Sequence, residues 1–300
     1  MGRTEASLEK VLPGGVTVIT DVCFARVDET PLLCDIYLPV GVKPTVGEAE
    51  QRPAASLSNA LPGSYPAAIV VHGGAWLAGD KWAIGIHARN MAEAGIVAVS
   101  INYRLAPASK FPAQVDDLRS ALVWLHDSAD QYHVDLQRVA LMGYSAGGHL
   151  SCLVGTLADA AWDEVKQTTL WSEEDARWQR LPKLKCVVGG GAPCDLVTFP
   201  DDPSALSYLF GQSREDVPGV YAAASPVTHA SAGDPPTLLV HGSGDTIVPL
   251  EISRKLYEAQ LAAGVDCKFV SLPGPGHMMT FLDPRTKKAT LEFLSKHLQP

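Results

Sequence analysis

The sequence has no long apolar run, no excess of basic residues and no paired-cysteine motif. Its apolar stretches are too short to cross a bilayer, so we expect no membrane partner. The 24 Lys and Arg against 33 Asp and Glu give a net charge of −9, which disfavours a nucleic-acid partner. The first 15 residues lack a basic segment followed by an apolar core, so no signal peptide is visible and a cytoplasmic location is expected.

The cysteines give no sign of a metal site. There are six of them, and they are scattered over positions 23, 34, 152, 186, 194 and 267. Because no pair has zinc-ligand spacing, we expect no bound metal and most of the cysteines buried as small hydrophobic side chains. Hydrophobic residues make up 46% of the 300 residues, which is enough for a large core. We predict a single domain over residues 1–300.

Apolar strand patterns alternate with helical patterns along most of the chain. Two strands at 16–25 and 31–38 are predicted to form a hairpin, followed by a loop over 40–66. Buried strands are predicted at 67–74, 96–103, 138–145, 184–193, 236–245 and 267–274. Helices are predicted at 81–94, 113–130, 146–158, 249–263 and 285–298. The alternation predicts an α/β fold with a mostly parallel eight-stranded sheet and helices on both faces.

Two segments interrupt the alternation and are predicted to form a small helical cap. Residues 159–182 carry three tryptophans among many charges, and residues 195–230 form the second excursion. Ligands of such sheets bind beyond the carboxyl ends of the strands. We therefore expect these segments over that end, although the tryptophans of the first are equally compatible with a surface helix packed on the core.

A serine flanked by glycines stands at the junction of a predicted strand and a predicted helix. The stretch from Gly143 through Ser145 to Gly147 fits the G-x-S-x-G pattern. A sharp turn there holds the serine in a strained conformation and projects its hydroxyl at the positive end of the following helix. We predict that Ser145 is a nucleophile.

A glycine loop follows the strand at 67–71 and supplies main-chain N–H groups. The residues are His72-Gly73-Gly74-Ala75-Trp76. Amides aimed at the oxygen of a tetrahedral intermediate lower the barrier of acyl transfer, and glycines let the backbone approach the substrate. We predict an oxyanion hole formed by Gly73, Gly74 and Ala75 together with the amide of Ala146.

The base and the acid follow from strand position. His277 comes directly after the last predicted strand, and Asp245 ends the strand before it. The chain order Ser, Asp, His is the order that this kind of sheet uses, so we predict that His277 is the base and Asp245 orients it. The rival acids are Asp195, which comes one strand too early, and Asp266, which lies at the wrong end of its strand.

Other side chains near these residues have supporting roles in the prediction. His72 is expected to tie down the glycine loop, His149 to pack one helical turn after the serine, and His241 to support the loop of the acid. Trp76 either lines the pocket or packs in the core. With Tyr144, it is a candidate substrate-binding residue.

These motifs together resemble the bacterial esterase/lipase group related to hormone-sensitive lipase and the BD-FAE-like carboxylesterases. The resemblance covers roughly residues 67–282 and lies in HGGAW (72–76), NYRLAP (102–107), FPAQVDDLRSALVWL (111–125), GYSAGGHL (143–150), GSGDTIVP (242–249) and GPGH (274–277). It implies an α/β-hydrolase fold, carboxylic ester hydrolysis, no cofactor and the same three catalytic residues. It also implies that Asp117 is structural.

The glycine loop departs from the HGGG pattern of hormone-sensitive lipase relatives. HGGxW resembles kynurenine formamidases and feruloyl- or acetyl-esterase-like proteins, which implies Gly74 and Ala75 as donors with Ala146. Which two of Gly73, Gly74 and Ala75 point inward stays open.

Three functions are compatible with these residues. The first is a serine carboxylesterase acting on short-chain esters through an acyl-enzyme intermediate. The second is an arylformamidase hydrolysing N-formylkynurenine with the same residues. The third is a non-catalytic ligand-binding protein on the same fold, as in plant gibberellin receptors, which lack the catalytic histidine; the presence of His277 argues against it.

Overall fold

The computed structural model describes residues 8–45, 64–200 and 203–299. Most of the loop predicted over 40–66 lies outside these residues, as do residues 201–202 of the second excursion. Within that predicted loop, residues 40–45 form no helix or strand and the Thr45 amide donates to the Gln131 carbonyl at 2.9 Å, whereas Tyr65 and Pro66 already belong to the strand that follows.

The N-terminal hairpin is present as predicted. Strands β2 (Thr17–Val27) and β3 (Thr30–Leu38) pair antiparallel, and a short strand β1 (Glu9–Val11) pairs with the outer side of β2. Asp28 and Glu29 both have positive φ, which is the backbone conformation of tight hairpin turns. Because β1 is only three residues long and fully exposed, it has no apolar alternation and was not predicted.

The remaining strands extend the sheet in parallel. They are β4 (Tyr65–Val71), β5 (Val97–Ile101), β6 (Val134–Tyr144), β7 (Leu184–Gly190), β8 (Thr237–Gly242) and β9 (Cys267–Leu272). In the described residues the sheet has nine strands, in the order β1-β2-β3-β5-β4-β6-β7-β8-β9. The predicted mostly parallel sheet is confirmed, with β1 as an addition to the eight predicted strands.

Helices cover both faces of this sheet. They are α1 (Gly85–Glu93), α2 (Ala113–Asp127), α3 (Ala146–Thr156), α4 (Trp162–Val165), α5 (Pro203–Phe210), α6 (Pro218–Ala223), α7 (Leu250–Ala262), α8 (His277–Leu282) and α9 (Pro284–His297). Ile69 of β4 faces a core built with α2, α3 and α7, whereas its neighbour Val70 faces a core built with α1 and α9. Each fully buried aliphatic side chain contributes about 1.5–3 kcal/mol to stability.

The described cysteines are free thiols, and five of the six are buried, as predicted. None of the helices in the described ranges has the length and apolar character needed to cross a membrane.

The segment 159–182 lies beside α2 and α3. Arg180 forms an ion pair with Asp127 at the end of α2 (2.7 Å), and the Arg119 guanidinium donates to the Thr168 carbonyl at 2.7 Å. A cavity of about 910 Å³ separates part of the segment from Leu184, at the start of β7. These contacts place the segment along the helices and toward the amino ends of the strands, which fits the alternative of a surface segment packed on the core and not a position over the carboxyl ends.

The second excursion, 195–230, does reach the carboxyl ends of the strands. The Phe111 amide donates to the Leu209 carbonyl at 3.0 Å, and the rings of Phe111 and Phe210 pack edge to face. Phe111 lies in the loop that follows β5. This part of the chain, with α5 and α6, therefore lies beside the loop that follows β5, and its role as a cap stays a prediction.

Candidate active site

Ser145 occupies the sharp turn between β6 and α3. Its φ of 55° and ψ of −124° are strained for a residue with a side chain, and such outliers persist only where the surroundings enforce them. Its amide donates to the Gly190 carbonyl of β7 at 2.7 Å. Ser145 is half-buried, whereas the residues on either side of it are buried, so the turn presents it at the carboxyl edge of the sheet.

The two glycines of the motif are required by close backbone contacts. A Cβ on Gly143 would overlap the Gly147 carbonyl, and a Cβ on Gly147 would overlap the Val71 carbonyl of β4. The helix therefore starts in direct contact with the neighbouring strands, which fixes the nucleophile turn from both sides.

The glycine loop after β4 lies directly against Ser145. A Cβ on Gly73 would lie 2.9 Å from the Tyr144 carbonyl oxygen and 3.0 Å from the Ser145 Cβ. Gly74, Ala75 and Trp76 have positive φ values of 123°, 52° and 62°. Within the described part of the chain, the amides of Ala75 and Ala146 have no acceptor. The loop and the start of α3 thus bring together the main-chain donors that were predicted.

Carbonyl groups of the same loop are held by internal donors. The His72 Nδ1–H donates to the Gly73 carbonyl at 2.7 Å, and the Leu77 and Ala78 amides both donate to the Gly74 carbonyl at 3.0 Å. The His72 ring also stacks on Tyr103 at 4.3 Å. His72 therefore ties down the loop, as predicted.

His277 and Asp245 form a buried pair. His277 Nδ1 lies 2.6 Å from Asp245 Oδ2, and the two side chains are 6% and 0% exposed. A Cβ on Gly191 would lie 3.0 Å from the His277 Cε1 atom. Gly190, whose carbonyl accepts from the Ser145 amide, comes directly before Gly191. The His277 imidazole and Ser145 therefore lie on either side of the same turn after β7.

Asp245 has three hydrogen-bond donors of its own and shares a fourth. Oδ1 accepts from the amides of Ile247 (3.0 Å) and Val248 (2.9 Å), and Oδ2 accepts from His277. His241 Nε2 lies between Oδ2, at 3.1 Å, and the Val248 carbonyl, at 2.9 Å. Burial raises the pKa of Asp245, but the hydrogen bonds from His241 and His277 outweigh it and leave the pKa well below its usual range. The carboxylate is therefore ionised when it faces the imidazole.

His241 is a supporting residue whose contact with Asp245 was not resolved from the sequence. Its ring is wholly buried, and the Ser253 hydroxyl lies within hydrogen-bond distance of both its Nδ1, at 2.8 Å, and the Ala192 carbonyl, at 2.5 Å. The i,i+4 spacing of His241 and Asp245 across a Gly-Ser-Gly turn was the available signal.

The rival acids have other partners. Asp195 Oδ2 pairs with Lys255 Nζ at 2.8 Å, and Asp266 pairs with Lys296 at 2.8 Å on the surface. Asp117, expected to be structural, accepts from the Arg104 amide at 2.7 Å and braces the loop after β5.

The two candidate substrate-binding side chains, Trp76 and Tyr144, are packed inside the protein. Trp76 and Tyr144 are each 4% exposed. The Trp76 indole donates to His149 Nδ1 at 3.2 Å, and the Tyr144 hydroxyl donates to the His277 carbonyl at 2.5 Å. Their polar atoms are engaged within the site, so these side chains do not line an open surface.

A buried ion pair ties the end of the glycine loop to the N-terminal hairpin. Lys81 Nζ lies 2.8 Å from Asp21 and 3.2 Å from Asp35, and its amide donates to Asn102 Oδ1 at 2.6 Å. Burial lowers the pKa of Lys81, but the two carboxylates outweigh it and raise the pKa above its ordinary value. Lys81 is therefore a charged link between the loop after β4, the hairpin and the loop after β5.

No cluster of three or more His, Cys, Asp or Glu side chains arranged to hold a metal ion occurs in the ranges that the structure covers.

Comparison with known proteins points to one family. Esterase LipC of Mycobacterium tuberculosis is 31% identical over 226 residues, which cover 73% of this chain and 54% of that protein. The probable carboxylic ester hydrolase LipM of the same organism is 32% identical over 195 residues, 65% of this chain and 44% of that protein. The chain thus spans about half the length of these relatives.

Solved structures show the same fold. A truncated carbohydrate esterase from gut microbiota superposes with a TM-score of 0.77 over 99% of both chains, at 24% identity. Propionate-bound esterase 2 of Thermogutta terrifontis superposes with a TM-score of 0.71 at 25% identity, over 95% of this chain and 96% of that chain. The BD-FAE family model matches residues 57–260, which is more than half of the chain. The chain therefore belongs to the BD-FAE family and has the α/β-hydrolase fold.

Proposed function

We propose that this protein is a serine carboxylesterase that hydrolyses short-chain esters through an acyl-enzyme intermediate. The observation that carries the proposal is the buried pair of His277 and Asp245, whose Nδ1–Oδ2 distance is 2.6 Å, at the turn that also holds Ser145. The esterase relatives support the same reaction class.

In the first half-reaction Ser145 attacks the acyl carbon of the ester. His277 Nε2 takes the hydroxyl proton while Asp245 accepts the Nδ1–H, which orients the ring and stabilises the imidazolium. The carbonyl π electrons move to oxygen, and the resulting oxyanion accepts hydrogen bonds from main-chain N–H groups. As the intermediate collapses, the C–O bond to the alcohol breaks, and the alcohol leaves with the proton from His277.

In the second half-reaction water replaces the alcohol. His277 removes a proton from the water as it attacks the acyl carbon of acyl-Ser145. The second tetrahedral intermediate expels the serine oxygen, which regains its proton from His277 and releases the carboxylic acid.

We assign the oxyanion donors to the amides of Gly74 and Ala75 on the loop and of Ala146 at the start of α3. The Ala75 and Ala146 amides have no acceptor in the described residues, and Gly74 and Ala75 are exposed. Gly73 instead packs on Ser145. The positive end of α3 adds to the stabilisation of the negative oxygen.

We assign Trp76 and Tyr144 to support of the site rather than to substrate contact. Tyr144 holds the main chain of His277 through its hydroxyl, and its ring centroid lies 5.3 Å from that of His277. The proposed preference for short acyl groups is supported by the propionate bound to the structurally similar Thermogutta terrifontis esterase 2.

The test compares Ser145→Ala with a matched serine replacement in α3, the helix that follows Ser145. Ser151 is wholly buried and its hydroxyl has no partner in the described residues, so Ser151→Ala should keep normal activity. We expect Ser145→Ala to lower kcat/KM for p-nitrophenyl acetate and butyrate by about 10⁴-fold or more. Undiminished hydrolysis by Ser145→Ala would overturn the proposal. Faster turnover of N-formylkynurenine than of these esters would favour a formamidase instead.

A further inference from the structure

A buried hydrogen-bond chain connects the glycine loop to α3 and to the second excursion. The Trp76 indole N–H donates to His149 Nδ1 at 3.2 Å, and the His149 Nε2–H donates to the Ala224 carbonyl at 2.7 Å. The two rings pack edge to face at 5.1 Å, and they are 4% and 0% exposed. Three segments far apart in the sequence therefore meet at one imidazole.

The hydrogen bonds define the protonation state of His149. An indole can only donate and a carbonyl can only accept, so Nδ1 must be unprotonated and Nε2 must carry the proton. Burial lowers the pKa of His149 to about 4, against the opposing effect of the bond to Ala224. The imidazole therefore stays neutral near neutral pH and keeps both hydrogen bonds.

The residues held by this chain have an unusual backbone. Ala75 and Trp76 both have positive φ, at 52° and 62°, and this region is unfavourable for a bulky side chain such as tryptophan. Such a turn persists only where several contacts hold it. The Trp76 carbonyl accepts from the Ala106 amide at 2.9 Å, and its indole is held by His149.

His149 is also linked directly to the nucleophile turn. Its amide donates to the Ser145 carbonyl at 2.9 Å as part of the first turn of α3. The helix that starts directly after Ser145 thus carries both the Ala146 amide and the imidazole that holds Trp76. The side chain of His149 joins the two main-chain segments that supply the oxyanion donors.

We propose that His149 is a positioning residue that, through Trp76, fixes the direction of the Ala75 amide toward the oxyanion. The inference rests on the proposed function, in which that amide stabilises the tetrahedral intermediate. His149 touches no reacting atom. Its effect should therefore be seen in the stabilisation of the transition state and not in the binding of the ester.

Two substitutions remove this contact from opposite sides. Trp76→Phe keeps an aromatic ring and deletes the donor, whereas His149→Leu deletes the acceptor. Because a misdirected oxyanion donor loses most of its effect, we expect each to lower kcat for p-nitrophenyl acetate roughly 10- to 100-fold. We expect KM to change less than about threefold, since ground-state binding does not use the amide.

Binding of a boronic acid separates positioning from general damage to the fold. Phenylboronic acid forms a tetrahedral anionic adduct when the serine oxygen bonds to boron, so its inhibition constant reports oxyanion stabilisation. We expect this constant to rise by the same factor by which kcat falls. His149→Gln, whose side-chain amide offers both an acceptor and donors, should recover most of the lost activity. Trp171→Phe, at another buried tryptophan, should leave both values unchanged.

The double variant Trp76→Phe/His149→Leu should be no less active than His149→Leu alone, because both changes act through one contact. The inference is supported if folded Trp76→Phe shows the expected fall in kcat and rise in the boronate inhibition constant while folded His149→Gln keeps most of the wild-type activity. The inference is overturned if folded Trp76→Phe and His149→Leu keep kcat and boronate inhibition within twofold of wild type. It is also overturned if only their Tm falls. Retained hydrolysis by Ser145→Ala would instead remove the proposed function, and this inference with it.

Discussion

Replacing Asp245 with asparagine gives a sharp test of the proposed mechanism because the surroundings dictate how the new amide must lie. The Ile247 and Val248 amides donate to Oδ1 at 3.0 and 2.9 Å, so the asparagine carbonyl has to take that position. Its NH₂ group then faces His277 and His241. An NH₂ group cannot accept from Nδ1–H, so the His277 proton moves to Nε2, the atom that should receive the serine proton.

The expected loss follows from this wrong tautomer. We expect kcat/KM for p-nitrophenyl acetate near neutral pH to fall about 10⁴-fold, which corresponds to about 5.5 kcal/mol of lost transition-state stabilisation. Asp195→Asn is the matched control, because Asp195 pairs with Lys255 and lies outside the proposed triad. Its activity should stay near that of wild type. An Asp245→Asn protein that is folded and keeps a tenth or more of the wild-type rate would refute the reasoning.

Two further predictions concern stability. Hydrogen bonds outweigh burial and depress the pKa of Asp245 in the folded state, so its carboxylate stabilises the fold above the unfolded-state pKa of about 3.9. The Tm of Asp245→Asn, measured by calorimetry, should therefore lie furthest below that of wild type near neutral pH, and this difference should shrink below about pH 4. A difference that grows on acidification would contradict the prediction. Arg104→Leu leaves the buried Asp117 carboxylate unpaired and should lower the free energy of unfolding by about 3 kcal/mol in urea titrations. Arg285→Leu, in an exposed ion pair, should leave stability unchanged, and equal effects of the two arginine variants would count against the prediction.

The parts of the fold that the sequence predicted are those set by short-range patterns. The buried strands are continuous apolar runs such as 67–71, and glycines such as Gly95 end the helices, so their order and type follow from local signals. The meeting of Asp245 with His277 follows as well, because parallel strands bring their carboxyl ends to one edge.

The parts that were not predicted depend on three-dimensional neighbours. The segment 159–182 lies beside α2 because Arg119, from that helix, binds Thr168, a contact between residues 49 apart. The burial of Trp76 similarly depends on His149, 73 residues away. The six-residue helix α8 is too short to show a helical period. Local composition does not indicate such distant partners. An aromatic residue in a loop is therefore equally compatible with lining a pocket and with packing in the core.

The link between Lys81 and the hairpin bears on how this protein can be re-engineered. A version shortened to start at residue 64 would retain every proposed catalytic group, yet the Lys81 ammonium would lose both Asp21 and Asp35. The loop after β4 would thereby lose its charged link to the N-terminal part of the sheet. The shortened version would also expose the backbone edge of β5 that pairs with β3, and an exposed strand edge promotes aggregation. Minimal or fused versions should therefore keep both hairpin strands, even though neither carries a group that takes part in the chemistry.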